Sequence, residues 1–153
     1  MIRRAKGSDI PEVAALYHSI WHETHAPLMP PAEIARRSLA FFVDRMTAVS
    51  DSTLVTEHNG SIVGFSAWRG NVLGQLFVAA RHRGTGIAGG LLTAAEIEMA
   101  KAGTFEAELY CVAGNQRARR FYERAEWTIR ERLLDENTPG AVPVLRMAKV
   151  LLR

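Results

Sequence analysis

The stretch "LFVAARHRGTGIAGGLLTAAEIEMAKAG", residues 76–103, decides the fold. Gly84, Gly86 and Gly89 read literally as G-x-G-x-x-G, the spacing of a dinucleotide-binding turn. That turn requires a strand ending directly at the first glycine, and an acid near the end of the next strand to hold a ribose. Here the apolar run stops at Val78, "AARHR" separates it from Gly84, and Glu106 and Glu108 open the following strand instead of closing it. The competing reading is R-x-x-G-x-G, formed by Arg81, Gly84 and Gly86. This would be a strand-to-helix loop whose backbone N–H groups join the positive end of a helix dipole and suit a pyrophosphate. Glycines let the backbone approach the anion closely, and Arg81 and Arg83 would add charge-assisted contacts. Gly89 and Gly90 then fall inside the helix, where close packing on a sheet is expected of them. A glycine-rich turn without a ligand is the third reading, and it leaves the two arginines without a purpose.

Working outward, "GIAGGLLTAAEIEMAKA" has the composition of a good helix and ends at Gly103. Upstream, "STLVTEHNGSIVGFSAW" reads as two strands joined at His58-Asn59-Gly60, because Asn-Gly supplies the positive φ angles of a tight hairpin. "VLGQLFV" is a further strand. "IRRA" opens the chain as a strand, and a helix follows through "HETH" with Ser8 or Asp9 as N-cap and Pro11 in its first turn. "APLMPP" breaks that helix, and "PAEIARRSLAFFVDRMTAV" reads as a second, with Ile34, Leu39, Phe42, Val43 and Met46 on its apolar side. Downstream come a strand "FEAELYCV", a short helix "NQRARRFYERA", and two strands, "EWTIRERLLD" and "VPVLRMAKVLL", around the turn "ENTPGA". The predicted order is βααβββαβαββ, an α/β (α+β) fold with a mixed, mostly antiparallel sheet and one central β-α-β crossover. Such a sheet has no room for the repeated parallel crossovers of a dinucleotide fold.

Composition bounds the rest. The 153 residues suit one domain spanning 1–153, with 48% hydrophobic residues to build a core. Nineteen Lys and Arg nearly balance 16 Asp and Glu, but twelve of the cations lie in the second half, around the glycine segment and "RARRFYER". That local field suits a phosphorylated ligand, and no interleaving of aromatic and basic residues points to nucleic acid. The single cysteine, Cys111, excludes an internal disulfide and a C-x-x-C zinc site and fits a reducing, cytoplasmic setting. No apolar segment suggests a membrane span.

The glycine segment resembles motif A of the GCN5-related N-acetyltransferases. About thirty residues on, "LYCVAGNQRARRFYERAEW" is similar to that family's second signature at Asn115, Ala118, Phe121 and Tyr122. The opening "IRRAKGSD" and closing "VLRMAKVL" also look like its first and last strands. The resemblance implies acetyl-CoA as acyl donor, no metal, an amine acceptor, and a fold in which a homodimer is plausible. It implies that Phe77 and Val78 meet the pantetheine arm through their backbone, where two parallel strands splay between "GQLFV" and "ELYCV". The Val78 amide would polarise the thioester carbonyl. Arg83, Gly84, Thr85, Gly86, Ile87 and Ala88, with Arg81, would hold the pyrophosphate. Asn115 would contact the pantetheine side as well as cap its helix, and Arg119 or Arg120 would meet the 3'-phosphate.

Acetyl transfer also needs an acid and a base. Tyr122 matches the family tyrosine that protonates the leaving thiolate, and is otherwise a core aromatic beside Phe121. Where relatives carry a strand glutamate, this chain has Val72 or its non-acidic neighbours, so the base is open between Glu108, acting directly or through a water, and His22 or Glu23. Imidazole is well suited to accept an ammonium proton. His18, His22 and His25 share a helix face, but one straight helix spreads three ligands too far for one tetrahedral ion. A polar pocket wall or plain surface is expected there. Cys111 is expected to be an inert core thiol. The chain departs from the family pattern at Glu126-Trp127, where Gly-Phe is usual. A CoA-binding module without transfer activity is the competing functional class.

Overall fold

The computed structural model describes residues 1–151. Strand β1 (Ile2–Arg4) leads into helix α1 (Ile10–Thr24), then α2 (Pro31–Arg36) and α3 (Leu39–Ala48). Three strands follow, β2 (Thr53–His58), β3 (Ser61–Arg69) and β4 (Val72–Val78), then α4 (Ile87–Lys101), β5 (Glu106–Val112), α5 (Gln116–Arg124), β6 (Thr128–Asp135) and β7 (Val142–Val150). The last expected strand was carried to Leu152, which lies outside the described residues. The sheet order is β1-β2-β3-β4-β5-β7-β6. Every neighbouring pair is antiparallel except β4 and β5, so the predicted mixed sheet with one parallel crossover is the observed one.

Two details differ from the sequence reading. The second helix is two helices, interrupted at Arg37 and Ser38. The cause is electrostatic: the Glu33 carboxylate is fully buried, and Arg36 and Arg37 both turn back to it at 2.7 and 2.8 Å. Leaving that carboxylate unpaired would cost several kcal/mol, about 3–5. Ser38 restarts the chain as an N-cap, its Oγ accepting from the Phe41 amide at 3.2 Å. Likewise Asp9 stands before α1 without capping it, because its carboxylate is taken by Arg3 at 2.8 Å and the Lys6 amide at 2.7 Å. The hairpin between β2 and β3 forms as expected, with Asn59 and Gly60 at φ of 52° and 79°.

Helices cover the two sheet faces separately. On one face α1 and α3 pack Val13, Tyr17, Trp21, Phe42 and Met46 onto Phe65. On the other, α4 sets Leu91, Leu92, Ala95 and Met99 against Trp68, Leu73 and Leu109. Gly64 on β3 makes the second approach close: a Cβ there would stand 3.0 Å from the Leu91 side chain. Trp127 closes this core and donates its indole N–H to Glu96 at 3.1 Å, so the Glu-Trp departure supplies a packed anchor where a Gly-Phe turn was the family pattern.

The parallel pair is barely a pair. Between β4 and β5 only Val72 and Glu108 are partners, with the Glu108 amide on the Asn71 carbonyl at 2.8 Å. By contrast, β5 is matched to β7 along its length, from Glu106 opposite Val150 to Val112 opposite Val144. Beyond Val72 the two strands diverge and leave a slot through the sheet.

Candidate active site

The slot opens into a cavity of about 420 Å³, bounded by Gly74, Leu76, Phe77 and Val78 of β4 and by Tyr110 and Cys111 of β5. At its β4 end the chain turns through Ala80–His82 and reaches α4 by way of Gly84 and Gly86, at φ of 77° and 87°. Left-handed backbone costs a residue with a Cβ about 1–2 kcal/mol, so glycine is required there by conformation. The first helical bond of α4 runs from the Gly90 amide to the Gly86 carbonyl at 3.0 Å. The amides of Ile87, Ala88 and Gly89 therefore have no carbonyl one turn back and form the positive end of the helix. Gly84, Gly86, Ala88 and Gly89 all line the cavity.

Gly89 corrects one expectation. A Cβ at this position would meet nothing within 4 Å, so the residue does not pack on the sheet but leaves its face of the helix open to the cavity. Gly90 makes the packing contact, 3.4 Å from Ile2. Arg83 lies on the wall, but its side chain is engaged: Nε donates to the Val78 carbonyl at 3.3 Å and Nη2 pairs with Glu23 at 2.8 Å. Arg81 is exposed, Thr85 hydrogen-bonds the His82 carbonyl, and Ile87 packs on the α4 core; none of these three side chains lies on the wall.

Strand alternation settles which backbone groups face the slot. The Ala79 amide bonds the Val63 carbonyl of β3 at 2.8 Å, so residue 79, and with it residue 77, turns its N–H and C=O toward β3. Residue 78 turns the other way, as the Arg83 contact to its carbonyl attests. Val78 thus presents its amide to the slot, whereas Phe77 presents only a ring, a correction to the expected pair.

Helix α5 supplies the opposite wall. Asn115 caps it, Oδ1 accepting from the Ala118 amide at 3.2 Å. Tyr122 lines the cavity with its ring against Phe121 and Trp127, at 5.2 and 6.2 Å. Burial, and then the nearby Cys111, hold the phenol well above its ordinary pKa, so it stays protonated. Burial pushes the Cys111 thiol up to about 11 as well, and Sγ lies 3.6 Å from the Val112 carbonyl. That is an inert thiol, as expected. Arg119 is off the wall; its Nε is buried without a hydrogen bond, and Glu123 at 3.5 Å gives a charge contact without hydrogen-bond geometry.

The base candidates are dispersed. His22 is off the wall, with Nε2 2.7 Å from the Arg37 carbonyl and its ring 4.4 Å from that of His18. Glu23 is committed to Arg83. Glu108 is also off the wall, but the Tyr110 hydroxyl, which lines the cavity, donates to it at 3.1 Å, and Arg146 lies 3.4 Å away. His25 received no chemical role from the sequence, which placed it with His18 and His22 on a polar pocket wall or a plain surface. It lines the cavity, its ring lies nearly parallel to Trp21 at 6.2 Å and 5.6 Å from Phe77, and burial, then Arg37 and Arg117, push it down to about 4. Its signal in the sequence was the shared helical phase with His18 and His22. No group of three or more His, Cys, Asp or Glu among the described residues is arranged to hold a metal, and no helix among them is long and apolar enough to cross a membrane.

Comparison with known proteins agrees with this geometry. The model of the acetyltransferase (GNAT) family matches residues 11–127. A GCN5-related N-acetyltransferase structure from Rhodopseudomonas palustris superposes with a TM-score of 0.81 at 18% identity, covering 98% of this chain and 94% of that one. The PaiA N-acetyltransferase of Thermoplasma acidophilum, solved with coenzyme A, gives 0.73 at 21% identity over 98% of both chains. The yncA protein of Salmonella typhimurium, solved with its cofactor acetyl-CoA, gives 0.73 at 18% identity, covering 100% of this chain and 94% of that one. No curated protein sequence matches significantly. The chain belongs to the acetyltransferase (GNAT) family.

Proposed function

We propose that this chain is an N-acetyltransferase that moves an acetyl group from acetyl-CoA to a primary amine by direct attack in a ternary complex. The observation that carries the reading is the slot: an amide-lined helix terminus at one end, a protonated phenol in its wall, and an opening toward each face of the sheet. The residues fit the donor. The unpaired amides of residues 87–89 would hold the pyrophosphate, and the free β4 edge from Gly74 to Val78 would meet the pantetheine arm as a strand partner would.

In this reading the amine nitrogen bonds the thioester carbon as the carbon–sulfur bond breaks. The Val78 amide stabilises charge developing on the carbonyl oxygen. Tyr122 gives its proton to the departing thiolate; the burial that raises the phenol also makes a thiolate in the same slot more basic, so the two remain matched. The ammonium proton leaves through the Tyr110 hydroxyl to Glu108, which makes Glu108 the proton acceptor at one remove.

Steady-state kinetics with acetyl-CoA over an amine panel test this. Tyr122→Phe should lower kcat about 100-fold or more, while CoA still raises the melting temperature as it does for wild type. Protection by NAD but not by CoA would sink the cofactor assignment. The second reading, a CoA-binding module without transfer, draws on the lack of an Asp or Glu on the cavity wall among the described residues. It is preferred if CoA protects both proteins and both are equally inert.

A further inference from the structure

We propose that His25 receives the attacking amine, its Nε2 accepting one amine hydrogen and so aiming the nitrogen lone pair at the thioester. The inference rests on the acetyltransferase reading and adds to it the residue that meets the acceptor. Thr24 Oγ1 lies 2.8 Å from the Ile20 carbonyl oxygen, which can only accept, so the single hydroxyl proton is spent there. The same Oγ1 lies 2.7 Å from His25 Nδ1, and that contact must take its proton from the imidazole. A neutral ring protonated at Nδ1 carries its lone pair at Nε2.

Nε2 has no protein donor among the described residues, and the ring stands on the cavity wall. Trp21 and Phe77 fix the ring plane from two sides. Burial, and then Arg37 and Arg117, keep a second proton off the ring, so it can orient an N–H without retaining a proton. Its position suits an acceptor. Phe77, Trp21 and Tyr17 form the packing on the α1 side of the sheet, whereas Tyr122 and Cys111 belong to the α4 side. Tyr110 alternates with Cys111 on β5 and so faces the α1 side with His25. The amine would thus enter from one face and meet the donor coming from the other.

The test uses the full chain labelled with nitrogen-15 at histidine. Long-range proton–nitrogen spectra should show His25 neutral with its proton on Nδ1 at pH 7. With ethanolamine, spermidine and alanine amide as acceptor probes, His25→Ala should lower kcat about 100-fold, leave the acetyl-CoA KM within about two-fold, and keep the CoA-induced rise in melting temperature. His25→Gln, which restores an acceptor atom near the same place, should recover about ten-fold of that loss without changing the shape of the pH profile. A ring protonated on Nε2, or a kcat unchanged in His25→Ala, overturns the proposal. If wild type turns over none of the probes while CoA binds, the acetyltransferase reading fails and the proposal falls with it. The nitrogen shifts distinguish that outcome from a wrong tautomer in a working enzyme.

Discussion

Acidification should destabilise this protein through His25, and the size of the effect follows from its surroundings. In the unfolded chain an imidazole titrates near 6.5; in the fold, burial and then the Arg37 and Arg117 guanidiniums push His25 down to about 4. Between these values the unfolded state binds a proton that the folded state refuses. The stability contribution is therefore complete above about pH 6.5 and declines as pH falls toward 4. Linkage gives a loss of about 1 kcal/mol by pH 5.5 and about 2.5 kcal/mol by pH 4.5, relative to pH 7. Two carboxylates that hold the fold, Asp9 and Glu33, are shifted down. Asp9, kept at about 2 chiefly by its bond to Arg3, loses its contribution only as pH drops below its ordinary value. Glu33 is pulled up by burial and down further by Arg36 and Arg37, with the net direction downward, so its contribution is lost only as pH falls below its ordinary value. His18 is also shifted down, by burial and then His22, and adds to the loss in the same direction. Urea unfolding at pH 7, 5.5 and 4.5 should show the wild type weakening by at least these amounts, with His25→Gln losing about 2.5 kcal/mol less than wild type at pH 4.5. Equal slopes in wild type and His25→Gln would refute the account.

The buried carboxylate of Glu33 should be among the most costly single changes. Glu33→Gln leaves Arg37 beneath Trp21 and Phe41 without its counter-charge, and should cost about 3–5 kcal/mol in urea unfolding; a loss under about 1 kcal/mol would show that the break between α2 and α3 has another cause. Gly86→Ala and Gly89→Ala should separate backbone from ligand. The first, at φ of 87°, should lose about 1–2 kcal/mol of stability, whereas the second should gain about 0.5–1 kcal/mol from helix propensity. The second should nevertheless weaken CoA protection in a thermal melt, because its methyl enters the cavity face of α4; unchanged protection would remove that face from the binding site. Amide exchange provides a further check on the slot: Leu76 and Val78 should exchange quickly in the free protein and slow on addition of CoA, with Phe77, turned toward β3, slow in both.

The fold was legible in the sequence to the extent that it depends on local signals. Asn59-Gly60, the glycines at 84 and 86, and the Ala- and Leu-rich helix behind them each state a backbone requirement that no distant residue changes. The break at Arg37 and Ser38 was not legible, because its cause is the burial of Glu33, and burial is decided by the whole layer. The site divides in the same way. Helical phase put His18, His22 and His25 on one side of α1 but could not say which faces a cavity; that depended on where α2 turned, since the Arg37 carbonyl engages His22. Alternation along β4 was available in principle. Its phase was not, because it is set by the register of β4 against β3, which shifts at Ala67 and Trp68 and continues to the bond from the Ala79 amide to Val63.

One parallel pair in an otherwise antiparallel sheet also explains how a hole through the sheet is tolerated. Each backbone group left without a strand partner inside a protein is costly, about 1–3 kcal/mol if it finds no water or ligand. A slot in the middle of a sheet should accordingly be rare. Here β4 is paired with β3 along its length apart from a bulge at Gly74, and β5 keeps its own ladder with β7, so neither strand depends on the other for its place. The crossover through α4 further requires that the helix begin beside the end of β4, which sets its unpaired amides at the mouth of the slot. Unsatisfied strand groups and unsatisfied helix groups are thus gathered in one cavity, and a ligand with an extended amide arm and a pyrophosphate at one end satisfies both sets together. The topology that creates the vacancy is also what makes it specific.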